Sequence, residues 1–270
     1  MPKITINENQ FHYVRSGEGH PIVLLHGFTG SVKTWTHLQN VLEKKFEVIS
    51  IDMIGHGLTD SPQRIDRYRM ISNVNDLVSL VTQLGHSKAF WLGYSMGARS
   101  ALQIANQFPS NVSGLILEGV SPGLINKTER TLRIDADEKL ADQIISFGIE
   151  KFVDYWESIP LWQTQTHLPQ GIKANLREQR LQNDPVGLAN SLRGMGAGAQ
   201  EPINDLSVIK VPILFVCGSL DKKFCDIASK LLIGLENGEI NIIDGAGHAV
   251  HLECPNEFNE LVLKFLEQNS

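Results

Sequence analysis

The sequence predicts an α/β protein with a mostly parallel central sheet, helices on both faces and a helical insertion in its second half. Three observations carry this expectation. Short apolar runs recur along the chain, helix-length segments separate several of them, and the stretch 121–205 contains no strand pattern. Strand–helix–strand alternation is the signature of a parallel sheet, because parallel neighbours need a crossover connection.

Taken in order, residues 3–6 and 11–15 pair as a hairpin at the sheet edge. Residues 22–25, 46–51, 89–92, 112–117, 211–217 and 240–243 are buried strands. These runs are rich in Val, Ile and Phe and are continuous rather than alternating, as a sheet covered on both faces requires. Helices are expected over 35–44, 73–84 and 98–108. Within 121–205 the pattern predicts helices over 129–147, 149–157, 172–182 and 185–195. The core then comprises residues 1–120 and 206–270. Residues 121–205 form a lid over the carboxyl edge of the sheet, where open α/β sheets bind ligands.

Bulk properties narrow the function classes. With 270 residues, 42% of them hydrophobic, the chain can bury a core without disulfide or metal staples. A formal net charge of -6 argues against nucleic acid or an anionic membrane as the main partner. Cys217, Cys225 and Cys254 show neither close-pair nor metal-ligand spacing, so free thiols in a reducing compartment are expected. The first eight residues lack the basic and apolar regions of a secretory signal, and no apolar run approaches the roughly 18 residues of a membrane span. A cytoplasmic protein with a small-molecule substrate, no membrane insertion, no metal and no cofactor is expected.

The chemistry starts at Gly93-Tyr94-Ser95-Met96-Gly97, which follows a strand and opens a helix. This is the G-x-S-x-G nucleophile elbow of the α/β-hydrolase fold, whose sharp turn excludes larger side chains at the glycines. A serine hydroxyl needs a proton acceptor, and this fold supplies an acid and then a histidine, each after a later strand. Asp221, in Gly218-Ser219-Leu220-Asp221, and His248, in Asp244-Gly245-Ala246-Gly247-His248, stand at those places. His251, Asp226 and Asp244 are the competing assignments. The loop His26-Gly27-Phe28-Thr29-Gly30 follows the strand 22–25 and resembles the H-G-x motif of this fold. The amides of Phe28 and Met96 are therefore expected to converge on a developing negative oxygen as an oxyanion hole. His26 is read as a structural residue of that loop, and Asp52-Met53-Ile54-Gly55-His56-Gly57 as architecture.

Arg99 stands one helical turn after Ser95. A cation there opposes the helix dipole by about 0.3–1 kcal/mol. Its burial calls for an anion, or else for local carbonyls or a carboxylate that its fork could cap. Arg130, Arg133, Arg177 and Arg180, with Trp156 and Trp162, lie in the predicted lid. Together with Arg99 they suggest a substrate with more than one carboxylate, since guanidinium forks match carboxylates bidentately.

Gly93-Tyr94-Ser95-Met96-Gly97-Ala98-Arg99, Ser121-Pro122-Gly123-Leu124, and Tyr155-Trp156 followed by Pro160-Leu161-Trp162 give the chain a specific resemblance. It resembles the 2-succinyl-6-hydroxy-2,4-cyclohexadiene-1-carboxylate synthases of menaquinone biosynthesis over nearly its whole length. The resemblance implies a carbon–oxygen lyase that eliminates pyruvate from 2-succinyl-5-enolpyruvyl-6-hydroxy-3-cyclohexene-1-carboxylate, a tricarboxylate. It further implies that Ser95, Asp221 and His248 abstract a proton, and that Arg99, Arg133, Arg180, Tyr94 and Trp156 contact substrate. Trp162 departs from a phenylalanine in some relatives, and Arg130 and Arg177 offer alternatives to Arg133 and Arg180. A serine hydrolase with the same triad, acting on esters or carbon–carbon bonds, is the rival enzyme; a catalytically silent binding protein is the rival from another class.

Overall fold

The structure, a computed structural model, describes residues 2–270. Strands β1 (Lys3–Ile6), β2 (Asn9–Ser16), β3 (His20–Leu25), β4 (Phe46–Ile51), β5 (Ala89–Tyr94), β6 (Val112–Glu118), β7 (Ile213–Gly218) and β8 (Gly238–Ile243) form one sheet. Its order is β1-β2-β4-β3-β5-β6-β7-β8. The hairpin β1–β2 and the β2–β4 pair are antiparallel, and all later pairs are parallel.

Burial explains why the central strands are continuously apolar. Alternate residues of each strand feed two separate cores. Val23, Leu25, Ile49, Ile51, Trp91, Leu115, Leu117 and Phe215 face one side, where they meet α2 (Met70–Gln83), α3 (Met96–Gln107) and α7 (Lys222–Leu232). Ile22, Leu24, Val48, Phe90, Leu92, Ile116, Leu214 and Val216 face the other, against α1 (Thr36–Leu42) and α9 (Pro255–Asn269). Each such side chain contributes about 1.5–3 kcal/mol when fully buried. Strand β8, expected to be buried over 240–243, is instead largely exposed, because it is the last strand of the sheet and has a neighbour on one side only.

Between β6 and β7 the structure has no strand; it places α4 (Lys127–Ser158), a 3₁₀ segment Pro160–His167, α5 (Gln170–Leu181) and α6 (Pro185–Met195) there. The break expected at residue 148 is a kink within α4, where Gly148 adopts φ 82 and ψ 171. That conformation is essentially restricted to glycine. Ala141, Ile144, Phe152 and Val153 of α4 pack on Leu188, Ala189 and Leu192 of α6 as a third, smaller core. The 3₁₀ segment was not anticipated, and β7 begins at Ile213, two residues late. Pro212 has no amide to donate to the ladder, so regular pairing starts after it. A short helix, α8 (Val250–Glu253), links β8 to α9. No helix among the described residues is long and apolar enough to cross a membrane.

Candidate active site

The elbow joins β5 to α3. Ser95 sits at φ 50 and ψ -103, a strained turn that bends the chain sharply. Its glycines make the bend possible. A Cβ on Gly93 would lie 2.3 Å from the Gly97 carbonyl, and one on Gly97 only 2.2 Å from the Leu25 carbonyl oxygen. The Ser95 amide donates to Glu118 O at 2.8 Å, which ties the turn to the end of β6.

Asp221 occupies the N-cap position of α7 just after β7, its side chain making no capping bond, and His248 occupies the loop between β8 and α8. The two converge on Ser95. His248 Nδ1–H donates to Asp221 Oδ2 at 2.6 Å, and Ser95 Oγ–H donates to His248 Nε2 at 3.2 Å. An ionised carboxylate only accepts, so its bond to Nδ1 leaves the Nε2 lone pair free for the serine proton. Phe224 packs 4.6 Å from the imidazole, ring centre to ring centre.

The competing residues are engaged elsewhere. His251 Nδ1–H donates to the fully buried Glu118 carboxylate at 2.8 Å. Asp244 accepts from Ser219 Oγ at 3.0 Å, while Asp226 lies along α7 on a separate surface groove. His26 Nε2 accepts the Met53 amide at 3.0 Å, so its Nδ1–H donates to Gly27 O at 2.7 Å. Burial holds the His26 pKa below its usual value and keeps the ring neutral in this double role. His26 thus pins the loop that presents Phe28. Neither the Phe28 amide nor that of Met96, the first residue of α3, has an acceptor among the described residues. Asp52 gathers the amides of Val32 and Leu58 and the ring of His12, a scaffold role.

A cavity of about 400 Å³ opens above Ser95, bounded by Phe28, Tyr94, Met96, Arg99, Arg133, Trp156, Trp162 and His248. Arg99 meets no carboxylate among the described residues. Its Nη1 donates to Met195 O at 2.7 Å and to Gln200 Oε1 at 2.8 Å, both neutral acceptors. Desolvation, with the field of Arg133, pushes its pKa down to about 10, still cationic at neutral pH. Arg133 shares the cavity, its Nε held by Asp137 at 2.8 Å. Arg130 and Arg177 do not line it. Arg130 pairs with Glu201, and Arg177 with Asp154 and Glu157.

The α/β-hydrolase fold family matches residues 20–255. A Bacillus subtilis protein provisionally named 2-succinyl-6-hydroxy-2,4-cyclohexadiene-1-carboxylate synthase is 44% identical over 246 residues, 91% of this chain and 89% of its own. The synthase of that name from Photorhabdus laumondii is 30% identical over 91% of this chain and 84% of its own. The solved structure of MenH from S. aureus superposes with a TM-score of 0.91 at 32% identity, covering 96% of this chain and 98% of that one. The chain belongs to the 2-succinyl-6-hydroxy-2,4-cyclohexadiene-1-carboxylate synthase family.

Within this synthase-family chain, Arg180 stands apart from the other two expected arginines. It is buried outside the cavity, with its guanidinium 5.6 Å from the centre of the Trp162 ring and Nη1 on Glu157 at 3.0 Å. Trp162 itself forms part of the cavity wall. Several wall groups hold polar atoms without a partner among the described residues: Tyr94 Oη, Trp156 Nε1 and Trp162 Nε1 are buried and unsatisfied. Sequence reasoning missed several cavity residues of this family member, among them the charged Asp137 and Lys223 and the aromatic Phe224. Asp137 was marked only by standing four residues after Arg133; Lys223 and Phe224 were marked by following Asp221 on the helix whose N-cap position it occupies.

Proposed function

We propose that the protein eliminates pyruvate from 2-succinyl-5-enolpyruvyl-6-hydroxy-3-cyclohexene-1-carboxylate, yielding 2-succinyl-6-hydroxy-2,4-cyclohexadiene-1-carboxylate for menaquinone biosynthesis. Family membership supports the reaction. The observation that carries the site assignment is the Ser95–His248–Asp221 chain of hydrogen bonds beneath a cavity that also holds Arg99 and Arg133.

Ser95 acts as a base relay rather than as an acyl acceptor. Its proton passes to His248 while Ser95 Oγ takes a proton from the ring carbon beside the succinyl ketone. The electron pair so released forms an enolate, whose oxygen lies against the amides of Phe28 and Met96. One such donor lowers a barrier by about 2.7–4 kcal/mol. As the enolate collapses, a double bond forms at the deprotonated ring carbon and the existing ring double bond shifts by one position. The ring carbon–oxygen bond to the enolpyruvyl group breaks, and the departing enolate of pyruvate takes the proton held by His248. Asp221 stabilises the imidazolium formed in between.

Arg99 and Arg133 hold substrate carboxylates, with Tyr94 and Trp156 as further walls. Arg180 joins them when Trp162 turns aside, and residues 121–205 serve as the lid that closes over the reaction. The three unbridged thiols support a cytoplasmic setting. Following pyruvate release with a lactate dehydrogenase couple tests the proposal. Release above the enzyme-free rate, lost in Ser95→Ala, is expected; a rate no faster than without enzyme would refute it.

A further inference from the structure

The cavity that would take an anionic substrate contains an anion of its own. Asp137 lies on α4 one turn after Arg133, almost wholly buried, while Arg133 is half-exposed. The geometry is specific. Asp137 Oδ1 accepts from Arg133 Nε at 2.8 Å, whereas the two terminal nitrogens of Arg133 make no hydrogen bond among the described residues. Asp137 Oδ2 is buried with no hydrogen-bond partner at good geometry among the described residues, although the nearby Gly198 amide also favours the charged carboxylate. Oδ2 packs against Gly196 at the end of α6, where even a Cβ would come within 2.5 Å of it. The carboxylate is therefore wedged in the seam between α4 and α6, next to the core in which Ala141 and Ile144 pack with Leu188 and Leu192.

We propose that Asp137 is a positioning residue: it fixes Arg133 by one nitrogen so that the other two stay free for a substrate carboxylate. This rests on the assignment of Arg133 to substrate binding made above. An arginine held only by solvent would lose rotamer freedom each time substrate arrives, and a supporting carboxylate removes that cost in advance. Asp137 also moderates repulsion between two cations in one cavity. Its field raises the affinity of Arg99 for its proton, against burial and Arg133, which lower it. Because its charge is tied to Arg133, the pair is close to neutral at a distance, and Asp137 repels an incoming anion little.

Two substitutions separate positioning from charge. Asp137→Asn keeps an acceptor for Arg133 Nε but not the charge; Asp137→Leu removes both. Positioning predicts that Asp137→Leu raises KM for the tricarboxylate about tenfold with kcat within about threefold, and that Asp137→Asn stays within about threefold on both. In an Arg133→Gln background, Asp137→Leu should change KM by less than about twofold, since the group it serves is gone. A fall in KM in both variants would show that Asp137 acts only by repelling substrate, and would overturn the proposal. So would equal KM values for wild type and a folded Asp137→Leu. Should Asp137→Leu fail to melt cooperatively, Asp137→Glu decides: displacing the carboxylate by one methylene should raise KM severalfold, and an unchanged KM sinks the idea. Wild-type turnover is measured first, so that failure of the proposed reaction is distinguished from failure of the role of Asp137.

Discussion

His248 Nδ1 and Asp221 Oδ2 lie 2.6 Å apart although 27 residues separate them. The contact fixes which ring nitrogen carries the proton. Asp221→Asn can present its amide N–H to the ring and favour the wrong tautomer. We expect kcat for pyruvate release to fall by about 10²–10⁴-fold with KM changed little, as measured by steady-state kinetics. A loss below tenfold would remove Asp221 from the relay.

Arg99→Ala separates carboxylate binding from general damage. Loss of a desolvated charge contact should lower kcat/KM on the tricarboxylate by about 2–5 kcal/mol. Any turnover of a neutral p-nitrophenyl ester should change far less. Equal losses on both substrates would mean that Arg99 serves only to hold Met195 O and Gln200 in place.

Ser95 exchanges stability for function. Its φ of 50 and ψ of -103 are uncomfortable for a side-chain-bearing residue. Ser95→Gly relieves strain of order 1–3 kcal/mol, less the roughly 0.5–1 kcal/mol that glycine's greater unfolded freedom costs. Thermal melts should show the variant more stable than wild type while pyruvate release disappears. A lower melting temperature would show that the turn is unstrained.

Acid should destabilise the fold through His56. The ring is buried edge-on to Phe28 at 5.7 Å, and above all burial holds its pKa down at about 3. Its ordinary value is 6.5, so below that pH the unfolded chain takes a proton that the folded chain refuses. The stabilisation is therefore complete above pH 6.5 and drains away as pH falls. At 1.36 kcal/mol per unit, one such histidine removes about 2 kcal/mol between pH 7 and pH 5. Denaturant unfolding across this range should show a shallower decline for His56→Asn; parallel declines would mean that His56 titrates normally.

Much of this was legible in the residues alone. Continuous apolar runs specified a sheet covered twice, because both faces of β4 and β5 had to be apolar. Ser95 was marked by its flanking glycines, a purely local requirement of a tight turn. Asp221 and His248 followed from chain order, since each leaves the carboxyl end of a strand whose place in the sheet was already implied.

Partner choice belonged to the tertiary structure. The sequence offered Arg130 or Arg133, and only the packing of α4 on α6 turns Arg133 into the cavity while Arg130 goes to Glu201. His251 looked like a second candidate base until Glu118, 133 residues away, was found to hold its ring. Asp137 carried no mark beyond helical spacing, and its burial comes from Gly196 across the seam. Periodicity and turn chemistry act between near neighbours and so are written in the order of residues. Which cation meets which carboxylate depends on distances that exist only once distant segments have packed.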